Sequence, residues 1–322
     1  MNILVTGASG FIGRALCQAL VSNGDQVVGL VRSGQCDISG VKVVQGDLED
    51  EGALRIALEG VDCVVHLAGR AHLMTDDAAD PLAAFRAVNR DATLRLAALA
   101  ALAGVKRFVF VSSIGVNGSS TSDEQSFSES SPVMPHADYA VSKLEAEQGL
   151  KAQLEGSAVE LVIIRPPLVY AAQAPGNFRR LLKLVSTGLP LPFALVKNQR
   201  SMVSLENLVD FVSLATRHID AAGQLYLVAD DQAVSTRQIV EFLAQGMSRR
   251  CINLPVPPYA LGLGLSMLGK GSLGTQLCGS LMVSNQKAKS LGWQPKASAK
   301  DALVAAGPVS YTHLTLPTKR IV

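Results

Sequence analysis

The chain has 322 residues, 48% of them hydrophobic and 17% charged, enough to build one large core or two lobes and a composition that excludes an extended disordered chain. Its 29 basic and 27 acidic side chains leave a formal net charge of +2, and no run of Lys and Arg supplies the footprint of a nucleic-acid binder. A small-molecule partner is expected instead. The five cysteines, Cys17, Cys36, Cys63, Cys251 and Cys278, are scattered and form no C-x-x-C pair, and the first residues enter a strand-like run with no leader-like segment. Both features predict a cytoplasmic protein with free thiols.

In chain order, strand-like runs at residues 3–6, 27–31, 41–44, 63–66, 107–111 and 161–164 alternate with helical stretches at 11–22, about 51–59, about 81–103 and about 138–154. The alternation predicts an α/β fold, and the continuous apolar strands predict a doubly wound parallel sheet with helices on both faces. After Arg165, prolines at 166, 167, 175, 190 and 192 break the pattern. A first domain is therefore expected over 1–165 and a smaller α+β lobe over 166–309, with helices near 178–187 and 205–217. The strand-like run 224–228 is expected to return to the main sheet. The apolar stretch 259–268 is interrupted by glycines and far shorter than the ~20 residues of a membrane span, so it predicts a buried or peripheral helix, with contact at a membrane surface as the lesser alternative. Residues 310–322 lose helical periodicity and resemble a translated adapter; they are treated as a non-native tail, the alternative being a frayed native terminus.

Between the first strand and the first helix stands Val5-Thr6-Gly7-Ala8-Ser9-Gly10-Phe11-Ile12-Gly13. Its glycines allow a sharp turn and close approach to a pyrophosphate, and the helix behind them offers unpaired amides. Glycines also serve ligand-free turns, but this position in a strand-helix-strand unit marks a Rossmann-type dinucleotide site. Further on, Tyr139-Ala140-Val141-Ser142-Lys143 sets a phenol and an ammonium one helical turn apart. A tyrosine with a pKa of ~10 is a poor base at neutral pH, and a nearby ammonium is expected to favour its phenolate. No histidine spacing suits a metal, and none is expected.

The G-x-x-G-x-x-G spacing resembles the short-chain dehydrogenase/reductase family, and later segments extend the likeness to its extended, NAD-dependent epimerase/dehydratase branch. Gly46-Asp47-Leu48 resembles an adenine-contacting segment, Leu67-Ala68-Gly69 the loop after the fourth strand, and Asn89 the asparagine of a Val-Asn helix motif. The resemblance implies an NAD(P) site formed by Gly7, Gly10, Phe11, Ile12, Gly13, Asp47, Leu48, Leu67, Ala68, Gly69, Asn89, Tyr139, Lys143 and Pro166. Val31-Arg32 stands where an acidic residue would bind the ribose of NAD, so Arg32 suits the 2′-phosphate of NADP, or is a solvated surface arginine.

Aligned to the family, Arg107-Phe108-Val109-Phe110-Val111-Ser112-Ser113 assigns the third catalytic role, beside Tyr139 and Lys143, to Ser113, and leaves Ser112 a neighbouring cofactor or structural contact. Dehydratases of the superfamily carry Thr-Asp-Glu where this chain has Ser113-Ile114-Gly115, and Asp123-Glu124 lies off that register. In the second lobe, Arg165-Pro166-Pro167-Leu168-Val169-Tyr170 resembles the segment passing nicotinamide, with Ala171-Ala172 departing from the usual Gly-Pro. Asn177 and Arg200 match positions that grip a nucleotide diphosphate; the alternatives are a helix cap and a surface arginine. The second half most resembles bacterial UDP-glucose 4-epimerases and UDP-4-keto-6-deoxy-N-acetylglucosamine reductases of surface-polysaccharide synthesis. These likenesses imply a UDP-sugar substrate, a homodimer paired through helices carrying 94–102 and 139–150, and chemistry at sugar C4. Arg32 inclines the expectation towards NADPH-dependent reduction of a 4-keto sugar over 4-epimerisation, with a non-catalytic NAD(P)-binding protein as a lesser alternative.

Overall fold

The computed structural model describes residues 1–32, 38–71, 80–122, 125–267, 269 and 271–314. Cys36, Asp123 and Glu124 lie outside them; among the described residues no disulfide forms. Seven strands make one parallel sheet: β1 (Asn2–Thr6), β2 (Gln26–Val31), β3 (Val41–Gln45), β4 (Cys63–His66), β5 (Arg107–Val111), β6 (Glu160–Arg165) and β9 (Leu225–Leu227). Their spatial order is β3-β2-β1-β4-β5-β6-β9. The order reverses direction between β1 and β4, and in such sheets ligands bind beyond the carboxyl ends of the strands at that switch. A separate two-stranded parallel sheet joins β7 (Leu168–Tyr170) to β8 (Met202–Ser204).

Helices cover both faces because the strands are apolar on both. On one face, α1 (Phe11–Ser22) packs against α7 (Leu205–Ala215), burying Leu16, Cys17 and Leu20 with Val5, Val65, Phe211 and Trp293. On the other, α2 (Glu51–Leu58), α4 (Ala92–Leu102) and α5 (Asp138–Leu154) bury Leu54, Leu58, Leu96 and Leu150 against Leu4, Val64 and Phe108. Asp50 caps α2 by accepting a hydrogen bond from the Ala53 amide at 3.0 Å.

A third core belongs to the lobe built after β6. Phe178 and Leu182 of α6 (Gly176–Ser186) meet Val240 and Leu243 of α8 (Thr236–Gly246) and Leu303 of α12 (Ala299–Leu314). Against this core rests the pair α9 (Pro258–Met267) and α10 (Gly271–Cys278), through Leu261, Leu277 and Cys278. A short α11 (Gln286–Ser290) lies between α10 and α12.

Two features depart from the sequence reading, and a third settles a choice that it left open. The helix expected over 81–103 is broken into α3 (Pro81–Arg86), a wide π turn (Ala87–Asp91) and α4. The wide turn carries Asn89, whose side chain bonds outside its own helix. The apolar stretch 259–268 is peripheral, since α9 contains no buried residue. Finally, α12 continues to Leu314, so the backbone stays helical past residue 310, where the apolar periodicity ends.

Candidate active site

Each segment assigned to a dinucleotide lies just past the carboxyl end of a strand of the main sheet: Gly7 after β1, Arg32 after β2, Asp47 after β3, Leu67 after β4, Ser113 after β5 and Pro166 after β6. Their meeting follows from the parallel topology. Gly7 takes φ +70°, a left-handed conformation that glycine adopts readily, and the Gly10 amide donates to the Gly7 carbonyl at 2.9 Å. A Cβ on Gly13 would lie 2.1 Å from that carbonyl oxygen, and one on Gly7 would lie 2.9 Å from the Ala68 nitrogen. Both positions therefore exclude a side chain.

No side chain caps α1 at Gly10, so the protein leaves the first amides of the helix, at Phe11, Ile12 and Gly13, at the positive end of its dipole without a capping group. That arrangement fits a pyrophosphate. Asp47 is exposed and its carboxylate accepts from the Glu49 amide at 3.3 Å, beside buried Leu48. Arg32 is exposed and makes no ion pair with a described residue. The buried Ser112 hydroxyl has no hydrogen-bond partner among the described residues, which also fits a ligand contact at the mouth of β5. The residues present thus fit a bound dinucleotide.

Asn89 ties this half of the site together. Its side chain accepts from the Arg70 amide at 2.8 Å and donates to the Arg70 carbonyl at 3.1 Å and the Ser142 hydroxyl at 3.0 Å. A Cβ on Gly69 would come within 3.0 Å of the Asn89 oxygen and 3.5 Å of the Lys143 ammonium. Loop 67–70, the π turn and α5 are therefore held in contact.

On α5, Tyr139 and Lys143 occupy one face as their spacing predicts. Lys143 is buried; its ammonium donates to the Val111 carbonyl at 3.1 Å and lies 4.5 Å from the centre of the Phe110 ring. Loss of water pushes it down to about 8, with Glu147 acting in the opposite direction. Tyr139 is half-buried against the edge of Phe85, ring centres 6.1 Å apart, and burial pushes its phenol up to about 12. Here the sequence reading is corrected. Loss of water at Tyr139 outweighs the lowering expected from Lys143, and the phenol is raised.

Ser113 stands two residues past the end of β5 and caps a short 3-10 turn, its hydroxyl accepting from the Gly115 amide at 3.1 Å. A Cβ on Gly115 would lie 3.3 Å from the Ser113 oxygen and 3.4 Å from the Ala140 Cβ, so Ser113 stands beside the first turn of α5. Pro166, also buried, is joined to the same turn through its carbonyl, which accepts from the Ile114 amide at 3.0 Å.

Two buried networks stand behind these residues, of which only that of Arg165 escaped the sequence reading; His66 is the satisfied near-core histidine that its place at the end of an apolar strand predicts. Arg165 donates from Nε and Nη2 to the Glu147 carboxylate at 2.9 and 2.5 Å, and from Nη1 to Asn117 at 2.9 Å. Glu147 follows Lys143 by one turn, and that i, i+4 continuation of Tyr139–Lys143 is the signal by which it could have been found. His66 sits between Thr6 (Nδ1 to Oγ1, 2.6 Å) and Thr93 (Nε2 to Oγ1, 2.8 Å), and Thr93 donates to the Asn89 carbonyl. Burial, with Lys143 adding to it, pushes its imidazole down to about 3, so His66 is neutral at physiological pH.

The substrate-lobe residues share no hydrogen bond with Ser113, Tyr139 or Lys143. Asn177 is exposed in the first turn of α6, which is capped at Pro175, and it donates to Gln276 of α10 at 2.8 Å. It is therefore not the helix cap. Arg200 is partly buried, donates to the Gly279 carbonyl at 3.0 Å, and has no carboxylate partner among the described residues; loss of water lowers its pKa. A guanidinium placed so suits an anionic ligand.

Residues 3–229 match the model of the NAD dependent epimerase/dehydratase family. A UDP-glucose 4-epimerase of Vibrio cholerae is 39% identical over 303 residues, which cover 93% of this chain and 92% of that protein. An N-acetyl-α-D-glucosaminyl-diphospho-ditrans,octacis-undecaprenol 4-epimerase of Escherichia coli O157:H7 is 28% identical, covering 81% and 77%. Among solved structures, a UDP-glucose 4-epimerase from Thermotoga maritima, determined with UDP-glucose, superposes with a TM-score of 0.78 at 21% identity, over 98% of this chain and all of the other. A short-chain dehydrogenase/reductase from Agrobacterium tumefaciens with bound NAD superposes with a TM-score of 0.77 at 23% identity over 98% of both chains.

Proposed function

Because the chain belongs to the NAD-dependent epimerase/dehydratase family, and so is a nucleotide-sugar enzyme of the short-chain dehydrogenase/reductase type, we propose that it is a 4-epimerase of a UDP-linked hexose. This reading is supported by Lys143 bonded to the end of β5 and Ser113 beside the first turn of α5, the turn that bears Tyr139, with Ser113-Ile114-Gly115 offering no acid and base for elimination of water. The Vibrio cholerae likeness weighs towards epimerisation, and so reverses the inclination to reduction drawn from Arg32 alone.

A nicotinamide dinucleotide, when bound, supplies the two-electron acceptor and donor for C4. The C4 hydroxyl would be oxidised to a ketone and reduced again from the opposite face, so one oxygen, that of Tyr139, would accept the hydroxyl proton as the phenolate and return it as the phenol. Ser113 orients the sugar oxygen by a hydrogen bond. Lys143, still mostly charged at pH 7, holds the phenolate when the phenol gives up its proton. Arg200 and Asn177 hold the diphosphate of the substrate. By the same family likeness the protein acts as a cytoplasmic homodimer in surface-polysaccharide synthesis.

A second reading, NADPH-dependent reduction of a UDP-4-keto-6-deoxy sugar, is favoured by one observation. Arg32 is exposed and without an ion-pair partner among the described residues, as a 2′-phosphate contact requires. The test incubates the protein with UDP-glucose, UDP-N-acetylglucosamine and the 4-keto sugar while following epimer formation and coenzyme absorbance. Epimer formed without net coenzyme consumption, and abolished in Tyr139→Phe with coenzyme binding retained, is the expected result. Net consumption of NADPH, weakened by Arg32→Ala, establishes the reductase, and unchanged turnover in Tyr139→Phe overturns both.

A further inference from the structure

Helix α9 is apolar along its whole length, yet none of its residues is buried. Its two sides differ in what they meet. Leu261 packs onto the lobe core and Leu265 is partly covered, whereas Tyr259, Leu263 and Met267 are 79%, 63% and 82% exposed. These three recur every fourth residue, so they form one outward stripe about 12 Å long. A helix with no polar face is ordinarily buried, and a concentrated apolar surface marks an interaction site. More apolar side chains stand exposed nearby. Ile252 and Leu254 lead into α9, and Leu189 and Leu195 flank the segment hydrogen-bonded to them through Leu191.

Charge identifies the occupant. Neither residues 161–205 nor 242–300 contain an Asp or Glu. Arg179, Arg180 and Lys183 of α6 and Arg250 after α8 are all exposed, while the nearby acid Glu241, bonded to Asn253, is paired with Arg237. Asn177 links α6 to α10, and α10 packs on α9, so the basic helix is joined to α9 through α10. A two-fold contact with a second copy would set the same basic patch against itself, which charge repulsion opposes. An anionic bilayer complements both features, taking the apolar side chains at the acyl boundary and the arginines at the phosphates.

We infer that α9 docks the protein peripherally on an anionic lipid surface through Tyr259, Leu263 and Met267, with the basic side chains of α6 and Arg250 beside them. No described helix is long and apolar enough to cross a membrane, so the attachment is to one leaflet. Because α10 also meets Asn177, the docked face adjoins the proposed diphosphate grip.

The test floats the full chain with vesicles of phosphatidylcholine, with and without phosphatidylglycerol. Flotation is expected with the anionic vesicles and at least about tenfold less with the neutral ones, since each basic residue near such a surface contributes a factor of about five in partitioning. Leu263→Glu/Met267→Glu and, independently, Arg179→Glu/Arg180→Glu should each reduce flotation by at least about tenfold while leaving the melting temperature unchanged. The second pair keeps the test valid should the first disturb folding. Failure to float with anionic vesicles, or equal flotation with both, overturns the proposal. So does a fall in the mass measured by light scattering for Leu263→Glu/Met267→Glu, which would assign the stripe to a second copy of the chain.

Discussion

Replacing Glu147 with Gln should damage this protein in two measurable ways. Glu147 and Arg165 are 1% and 3% exposed, and the guanidinium gives two hydrogen bonds to the carboxylate and a third to Asn117. In Glu147→Gln the amide oxygen can keep one of those bonds, but the Arg165 charge stays in the interior without a counter-charge. Breaking such a pair on one side costs about 3–5 kcal/mol, against a total stability of about 5–15 kcal/mol for a typical folded protein. With a urea slope of about 3 kcal/mol/M, the unfolding midpoint should fall by about 1–1.7 M. Glu147→Gln/Arg165→Met should recover most of the loss, because no unpaired charge remains, and the double-mutant cycle should give a coupling of at least about 2 kcal/mol. The second effect is on Lys143, whose pKa Glu147 raises. Without that carboxylate, and with Arg165 uncompensated, the ammonium loses its proton below about 8, so the alkaline fall in kcat should move to lower pH. A urea midpoint within about 0.3 M of the parent, together with an unmoved alkaline limb, would refute the reasoning.

Other outcomes follow from the same geometry. Gly13→Ala places a Cβ 2.1 Å from the Gly7 carbonyl, so coenzyme affinity measured by titration calorimetry should fall by at least about 100-fold; binding within threefold of the parent would contradict the close-packed loop. Lys143 titrates at about 8 when folded against an ordinary 10.5, so between those values the unfolded chain holds a proton that the folded chain has released. Stability of the ligand-free protein should therefore rise with pH across that window, and Lys143→Met should remove this contribution in urea titrations at several pH values. Leu102, 78% exposed at the end of α4, belongs to the surface proposed to pair two copies. Light scattering should give a dimer mass, lowered towards the monomer by Leu102→Asp, and a monomer mass for the parent would end that proposal.

The parts of the site legible in the sequence are those set by local backbone geometry. Gly7 and Gly13 could be read because a left-handed turn and a 2.1 Å approach leave no room for a side chain, and Tyr139–Lys143 because four residues return a helix to the same face. The strands of the parallel sheet were legible as short apolar runs. What spacing could not report is environment. It placed the ammonium on the same face as the phenol but said nothing of the Val111 carbonyl that engages it or of the water removed from Tyr139, and so predicted the wrong direction for the phenol. Arg165 was read as the last residue of the first domain, while its partner Glu147 lies 18 positions earlier on another element. The exposure of α9 was likewise hidden, because an apolar helix reads the same in sequence whether it is covered or bare.

The wide turn at Ala87–Asp91 separates two tasks that a regular helix would couple. A π turn amounts to one residue more than α-helical phase requires, and the helix on either side of such an insertion keeps its own phase. Leu96 and Ala97 can therefore remain buried against the sheet whether or not the extra residue is there. Only the direction in which Asn89 presents its amide and carbonyl depends on it. An insertion or deletion at this point re-aims the grip on loop 67–70 without repacking the face beneath, whereas one residue added to β5 would turn every following side chain of that strand to the opposite face. The molecule holds its aim and its packing in separate places.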